Sequence, residues 1–220
     1  MLALFVAQSA FAQIVTKDDP IGTVYTYETK VGEFNLVLEQ TLLNIDGDRF
    51  TFKSKQELPQ GMGTLEIENS YIVKDGKLIE PIADRKQQLE EQMAKMGAGA
   101  KVSIEGDLGF TPLDGKLGDE FEQGSYTTVI TVMGMSQNLE TKVLSCKIIN
   151  EESLTTPAGT FDTIVLETIG ETVVSVMGQT QTLKTNTKSW IVRGKGIVKS
   201  IIDDGSGNVT TQILKSIVKP

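Results

Sequence analysis

Histidine is absent from the chain. The commonest general base and the commonest metal-ligating side chain are therefore missing, and a Ser-His-Asp triad is excluded. Cysteine occurs once, at Cys146. That rules out an intramolecular disulfide and a zinc site built on thiolates. Basic residues are the minority, 21 Lys and Arg against 29 Asp and Glu, which leaves a formal net charge of −8 and a pI near 4.7. The pattern shows no basic face of the kind a nucleic-acid binder presents. The same balance disfavours attraction to anionic lipid. No run approaches the roughly 18 to 20 apolar residues of a membrane-spanning helix. A transmembrane span, a nucleic-acid partner, a metal and a cofactor are all left without support.

What is present points to one globular body. Apolar residues make up 39% of the 220, and 21 glycines bring the total near the norm for a folded domain. The segment Met1–Gln13 is apolar and carries Ala10 and Ala12 in an A-x-A arrangement. It reads as a signal peptide over residues 1–12 that has lost its basic start, followed by a single β-rich domain over 13–220. A buried first strand or short helix is the alternative. The first reading implies export, to the periplasm of a Gram-negative cell. No cysteine follows, so a lipid anchor of the bacterial lipoprotein type is not supported.

The segment Ser189–Ile202 reads strand, turn, strand around Arg193-Gly194-Lys195-Gly196 and holds the only tryptophan, Trp190. Its glycines permit the positive φ that a hairpin requires. Upstream, Pro157-Ala158-Gly159 turns the chain into Phe161, Asp162 and a second strand. Alternating runs elsewhere predict about eleven short strands, among them Phe34–Leu43, Arg49–Glu57, Ser125–Met133, Leu139–Ile149, Phe161–Thr168 and Thr172–Met177. Asp46-Gly47-Asp48 joins two of these. It has neither the bidentate glutamate nor the flanking helices of an EF-hand. Residues 132–141 and 176–185 resemble each other, and both read as hairpins turning at Met-Gly. In Leu139–Ile149, alternation places Cys146 on one face with Leu144 and Ile148, as a buried and inert thiol. Asn208-Val209-Thr210 and Asp162-Thr163-Ile164 match short glycosylation patterns, the first read as a turn.

One helix is predicted over Ala83–Met96. Asp84 and Gln87 suggest a capping box, and Gly97 a stop. Leu89, Met93 and Met96 repeat at helical spacing, with Ile82 on the same stripe and charges and glutamines opposite. This stripe either plugs a curved sheet or roofs a groove for a hydrophobic ligand, in which methionines, including Met133, Met135 and Met177, would supply adaptable packing. A long glycine-rich connection, 106–124, reads as pinned to the body by Phe110, Leu113 and Leu117.

The Thr156–Asp162 turn, with Pro157, Gly159 and Phe161, precedes a Trp-x-x-x-Gly-x-Gly-Ile-Val-Lys element at Trp190, Gly194, Gly196 and Lys199. Together with Lys116-Leu117-Gly118-Asp119, this resembles the TapB-like group of exported bacterial domains of unknown function. The resemblance covers the C-terminal half and implies a curved half-barrel like that of the lipoprotein carriers (LolA/LolB-like). It brings no catalytic residues with it.

The expected fold is mainly β: a curved antiparallel meander sheet, a half-barrel, with one amphipathic helix over its concave face. The expected function is a non-enzymatic periplasmic binding protein for a hydrophobic, lipid-like ligand contacting Leu89, Met93 and Met96. The alternative is a structural or protein-interaction module of the cell envelope, with an envelope protein as partner. A carboxylate-based hydrolase would have to use Asp119, Glu120 and Glu122, or Glu151 and Glu152. A solvated charged loop explains those groups equally well.

Overall fold

The computed structural model describes residues 13–57, 63–95 and 99–220. The leader expected at 1–12, the break at 58–62, and Met96 and Gly97 lie outside the described residues. The first strands are β1 (Val24–Val31), β2 (Phe34–Asp46), β3 (Arg49–Glu57), β4 (Thr64–Lys74) and β5 (Lys77–Ile79). The helix α1 (Ile82–Lys95) follows, then β6 (Ala100–Gly106) and β7 (Thr111–Pro112). The remainder is β8 (Ser125–Val132), β9 (Met135–Thr156), β10 (Gly159–Val176), β11 (Gln179–Val192), β12 (Gly196–Asp203) and β13 (Val209–Val218).

All these strands form one antiparallel sheet of thirteen, in the order β6-β8-β9-β10-β11-β12-β13-β1-β2-β3-β4-β5-β7. It is a meander whose two halves meet where β13 pairs with β1, so the first and last strands lie mid-sheet. A tether reinforces that seam. Asp19 accepts a 2.6 Å hydrogen bond from the Tyr25 hydroxyl and pairs with Lys219 at 2.7 Å. Burial drives the phenol of Tyr25 far above its ordinary range, with Asp19 adding to the effect.

The strands are not uniformly short. β9 has 22 residues and β10 has 18. A straight 22-residue strand would reach roughly 70 Å; β9 instead carries two extra residues of the kind that bend a strand. Ile169 pairs with Ser145 and Gly170 with Val143, which leaves Leu144 as a bulge; Val165 pairs with Asn150 and Leu166 with Ile148, which leaves Ile149 as another. The first bulge overturns a predicted face: Leu144 points outward, 48% exposed, while Cys146 and Ile148 are buried. Alternation holds only between bulges. The segments 161–168 and 172–177, predicted as separate strands, fall in one, β10, except that Met177 belongs to the turn after it. Gly170 does not break the strand. It sits opposite the first bulge, where a Cβ would meet the Thr185 hydroxyl oxygen at 2.9 Å.

The bent sheet packs two apolar clusters. The larger holds Tyr25, Tyr27, Phe50, Phe52, Ile148, Ile164 and Trp190, with Tyr25, Phe52 and Tyr71 in successive edge-on contacts at 6.3 and 6.2 Å. The smaller gathers Leu89 and Met93 of α1 with Val102, Ile130, Leu139 and Val174. Burying two side chains of this size contributes about 1.5–3 kcal/mol each, enough to hold a helix of 14 residues that would be marginal alone.

The helix departs from expectation in three ways. It begins at Ile82, and its first bond runs from Arg85 N–H to the Pro81 carbonyl at 3.0 Å. Asp84 is therefore inside the first turn, where it suits the helix dipole and pairs with Arg49 at 3.3 Å; Gln87 bonds Glu91, and no capping box forms. Ile82 is 37% exposed and leaves the stripe. The glutamine side is not solvated throughout either. Gln88 is buried, and with Gln92 it faces Gln40, Ser54 and Asn69 across a void of about 40 Å³.

Candidate site at the crease of the sheet

The hairpin between β11 and β12 serves as a receptor for two other segments. Gln13–Val15 crosses it backbone to backbone: Val15 N–H donates to the Lys195 carbonyl at 2.6 Å, and Ile197 N–H to the Gln13 carbonyl at 2.8 Å. Gly196 has φ +120°, and a Cβ there would lie 2.0 Å from the Gln13 carbonyl oxygen. Only glycine fits, for conformation and for space together. Gly194 donates its N–H to the Leu113 carbonyl, while Arg193 pairs with Asp114 at 3.2 Å and Glu151 at 2.8 Å. The 106–124 connection is thereby ordered, with Phe110 under the Lys77 ammonium and Leu113 fully buried. Leu117, expected to help, is 62% exposed.

The remaining motif residues are equally structural. Pro157 and Ala158 form the two-residue turn between β9 and β10; Gly159 takes φ +140°, and the Thr156 hydroxyl closes the turn by accepting from Ala158 N–H. Phe161 packs against the larger cluster and Asp162 faces solvent. The Trp190 indole N–H donates to Glu152 at 2.5 Å, and Lys199 lies 4.3 Å from its ring centre. Thr163 is buried, its hydroxyl donating to the Glu152 carbonyl, so the Asp162-Thr163-Ile164 pattern lies within the sheet. Asn208 folds onto Asp204 and belongs to the last turn, as read.

Between the two apolar clusters, beside the first β9 bulge, lies a cavity of about 210 Å³. Its sheet wall is a field of hydroxyls: Thr141, Thr168, Thr172, Thr185, Thr187 and Ser189. Tyr71, Leu78, Glu80 and Phe110 line it from β4, β5 and the connections that follow, and Cys146, Leu166, Ile197 and Ile202 add apolar wall. Desolvation raises the Glu80 carboxyl above the usual carboxylate range, with Arg85, 4.0 Å away, opposing in part. Burial likewise pushes the Cys146 thiol up, while Thr168 and Gln123 donate weakly to its sulfur. A protonated, buried thiol matches the inert reading from sequence. Gln13 also lines the cavity, and its side-chain Oε1 is buried with no partner among the described residues.

Leu89 and Met93 lie elsewhere. They are 2% and 3% exposed, interlocked in the smaller cluster, and neither lines the cavity; Leu183 is where cluster and cavity meet. Met133, Met135 and Met177 are not in the hollow either but project from hairpin ends, 87%, 56% and 81% exposed. Four of the five carboxylates named for hydrolysis, all but Glu122, have structural partners. Glu120 pairs with Lys147, Glu151 with Arg193, Glu152 with Trp190, and Asp119 accepts from Lys116 N–H. Among the described residues no three His, Cys, Asp or Glu are grouped as a metal would require, and no helix is long and apolar enough to cross a membrane. The hydroxyl wall left a trace in sequence, Thr185, Thr187 and Ser189 at period two, which reads as an ordinary half-exposed strand.

A family model described as DUF3108-like matches residues 32–214. The fold is similar to that of a Bacteroides fragilis protein described as exported with a YmcC-like fold, at TM-score 0.62 and 18% identity, covering 91% of this chain and 97% of that one. It is similar also to a protein of Parabacteroides distasonis described as a lipoprotein, at TM-score 0.61 and 16% identity, covering 91% and 96%. Comparison with curated proteins finds no match.

Proposed function

The chain belongs to the DUF3108-like family, and from that premise and the creased cavity we propose an exported, non-enzymatic binding protein of the periplasm that holds a small amphiphile. The observation that carries this reading is the cavity itself, walled by threonine hydroxyls on one side and by Leu78, Phe110, Ile197 and Ile202 elsewhere. Binding sites for small molecules combine an apolar lining with a few placed polar groups. The volume limits the ligand. A dry cavity of about 150 Å³ accepts benzene, so about 210 Å³ suits one ring or a short length of one chain, not a two-chain lipid. Glu80 and the unpaired Gln13 oxygen favour a head group that donates hydrogen bonds. The turn motifs at Pro157–Asp162 and Trp190–Gly196 favour the TapB-like group as the narrower assignment, and the descriptions of the two structural relatives favour export.

Native mass spectrometry and thermal shift with a panel of single-chain alcohols, amines and lysolipids test this. The wild-type chain should show a one-to-one adduct and a raised midpoint with at least one class. Thr187→Trp, which fills the cavity, should abolish both while its own ligand-free midpoint shows that it folds. A wild-type chain with no adduct and no shift across the panel removes the reading.

A further inference from the structure

The hairpins β8–β9 and β10–β11 end side by side. Val132 pairs with Met135, Val176 with Gln179, and Val176 with Gln137, so both two-residue turns sit at one end of the sheet. The second also projects from it: β12 stops pairing with β11 at Asn186, leaving Gln179–Thr185 bonded to β10 alone, whereas β6 runs beside the first as far as Val132. Each turn has methionine first and glycine second, with Met133 at φ 50° and Met177 at φ 49°. This left-handed region is the usual place of Gly, Asn or Asp. Instead, two flexible apolar side chains occupy it almost fully exposed, flanked by exposed Met135 and Val176. The two longest uncharged runs among the described residues, 123–139 and 172–183, are these two tips, in a chain of net charge −8.

We propose that the paired tips dock on an uncharged, zwitterionic lipid bilayer, with Met133 and Met177 entering the boundary between head groups and acyl chains. The tips are convex and offer four apolar side chains, whereas a stable protein interface takes about 20–30 residues a side. A bilayer needs no matching surface and accepts apolar groups to a depth of about 5–10 Å. The two turns themselves carry no cation, Lys101 opposite Thr131 being set back from the first, and the acidic body behind them is repelled by acidic lipid, which selects neutral head groups. Uncharged fingers also remove the cost of bringing charge to the interface.

Flotation of the full chain with phosphatidylcholine vesicles tests the proposal, beside vesicles containing phosphatidylglycerol and the double variant Met133→Asn, Met177→Asn. Asparagine suits the left-handed turn, so the variant should fold at least as well as the wild type, as its thermal midpoint will show. The wild type should float with phosphatidylcholine, float less as phosphatidylglycerol is added, and lose about tenfold or more in partition on double substitution. Three results overturn the proposal: no flotation at millimolar phosphatidylcholine, equal flotation of the variant, or binding that rises with phosphatidylglycerol. A concentration-dependent dimer that the variant abolishes would overturn it too, in favour of a second copy as the occupant.

Discussion

The two ends of the long hairpins are built on opposite plans from the same glycine chemistry. At one end Gly196 lies beneath the Gln13 backbone, Gly194 donates its N–H to the Leu113 carbonyl, and two carboxylates hold Arg193. At the other, Gly134 and Gly178 stand in open space, with nothing within 4 Å of a virtual Cβ and no charge nearby in sequence. Both sets have positive φ. Conformation alone therefore explains a hairpin glycine at either end, but only at the first does it also join distant parts of the chain. Function at the second is free to evolve on the residues beside the glycine.

The sharpest way to break this comparison is a matched pair of substitutions. Gly196→Ala should cost about 3 kcal/mol or more, since the left-handed penalty of about 1–2 kcal/mol is joined by a contact that forces Gln13 off the hairpin. Gly178→Ala should cost only the first part, about 1 kcal/mol. Urea denaturation measures both, and equal losses would erase the distinction between pinned and free ends. Glu152→Gln, which leaves the Trp190 indole a neutral acceptor, should cost about 1 kcal/mol and shift the tryptophan emission. The smallest effect belongs to the crease between the ends. Because the Glu80 carboxyl is raised in the folded chain above its value of 4.5, the folded state holds its proton longer than the unfolded one. Its contribution therefore favours folding at low pH and is lost as pH rises from about that value through the raised folded value. Glu80→Gln should flatten that slope in midpoint-against-pH curves; an unchanged slope would mean that Glu80 is not desolvated as described.

Much of the architecture was legible in local chemistry. Met-Gly at 133 and 177, Asp-Gly at 46 and the Arg-Gly-Lys-Gly turn mark hairpins because few residues accept positive φ, and the Leu89–Met93 spacing marks a helix because apolar groups one turn apart share a face. Leu144 was misplaced because its bulge is counted against β10, not along β9. The strand β10 was cut at Gly170 because a glycine facing a bulge and a glycine ending a strand look alike in one dimension.

The cavity was illegible for the same reason, since its hydroxyl wall depends on the register of β9, β10 and β11, and Tyr71, Leu78, Glu80 and Phe110 line it from far away in sequence. From the sequence alone came the extended conformations, the turns, the single helix, the acidity and the lack of imidazole and paired thiols, because each rests on a residue and its near neighbours. The tertiary structure alone decided how the strands align, where β9 bends, which glycine lies beneath another backbone, and hence where a hollow opens. Those depend on two extra residues in one strand measured against its partner, a relation that exists only once the strands have paired.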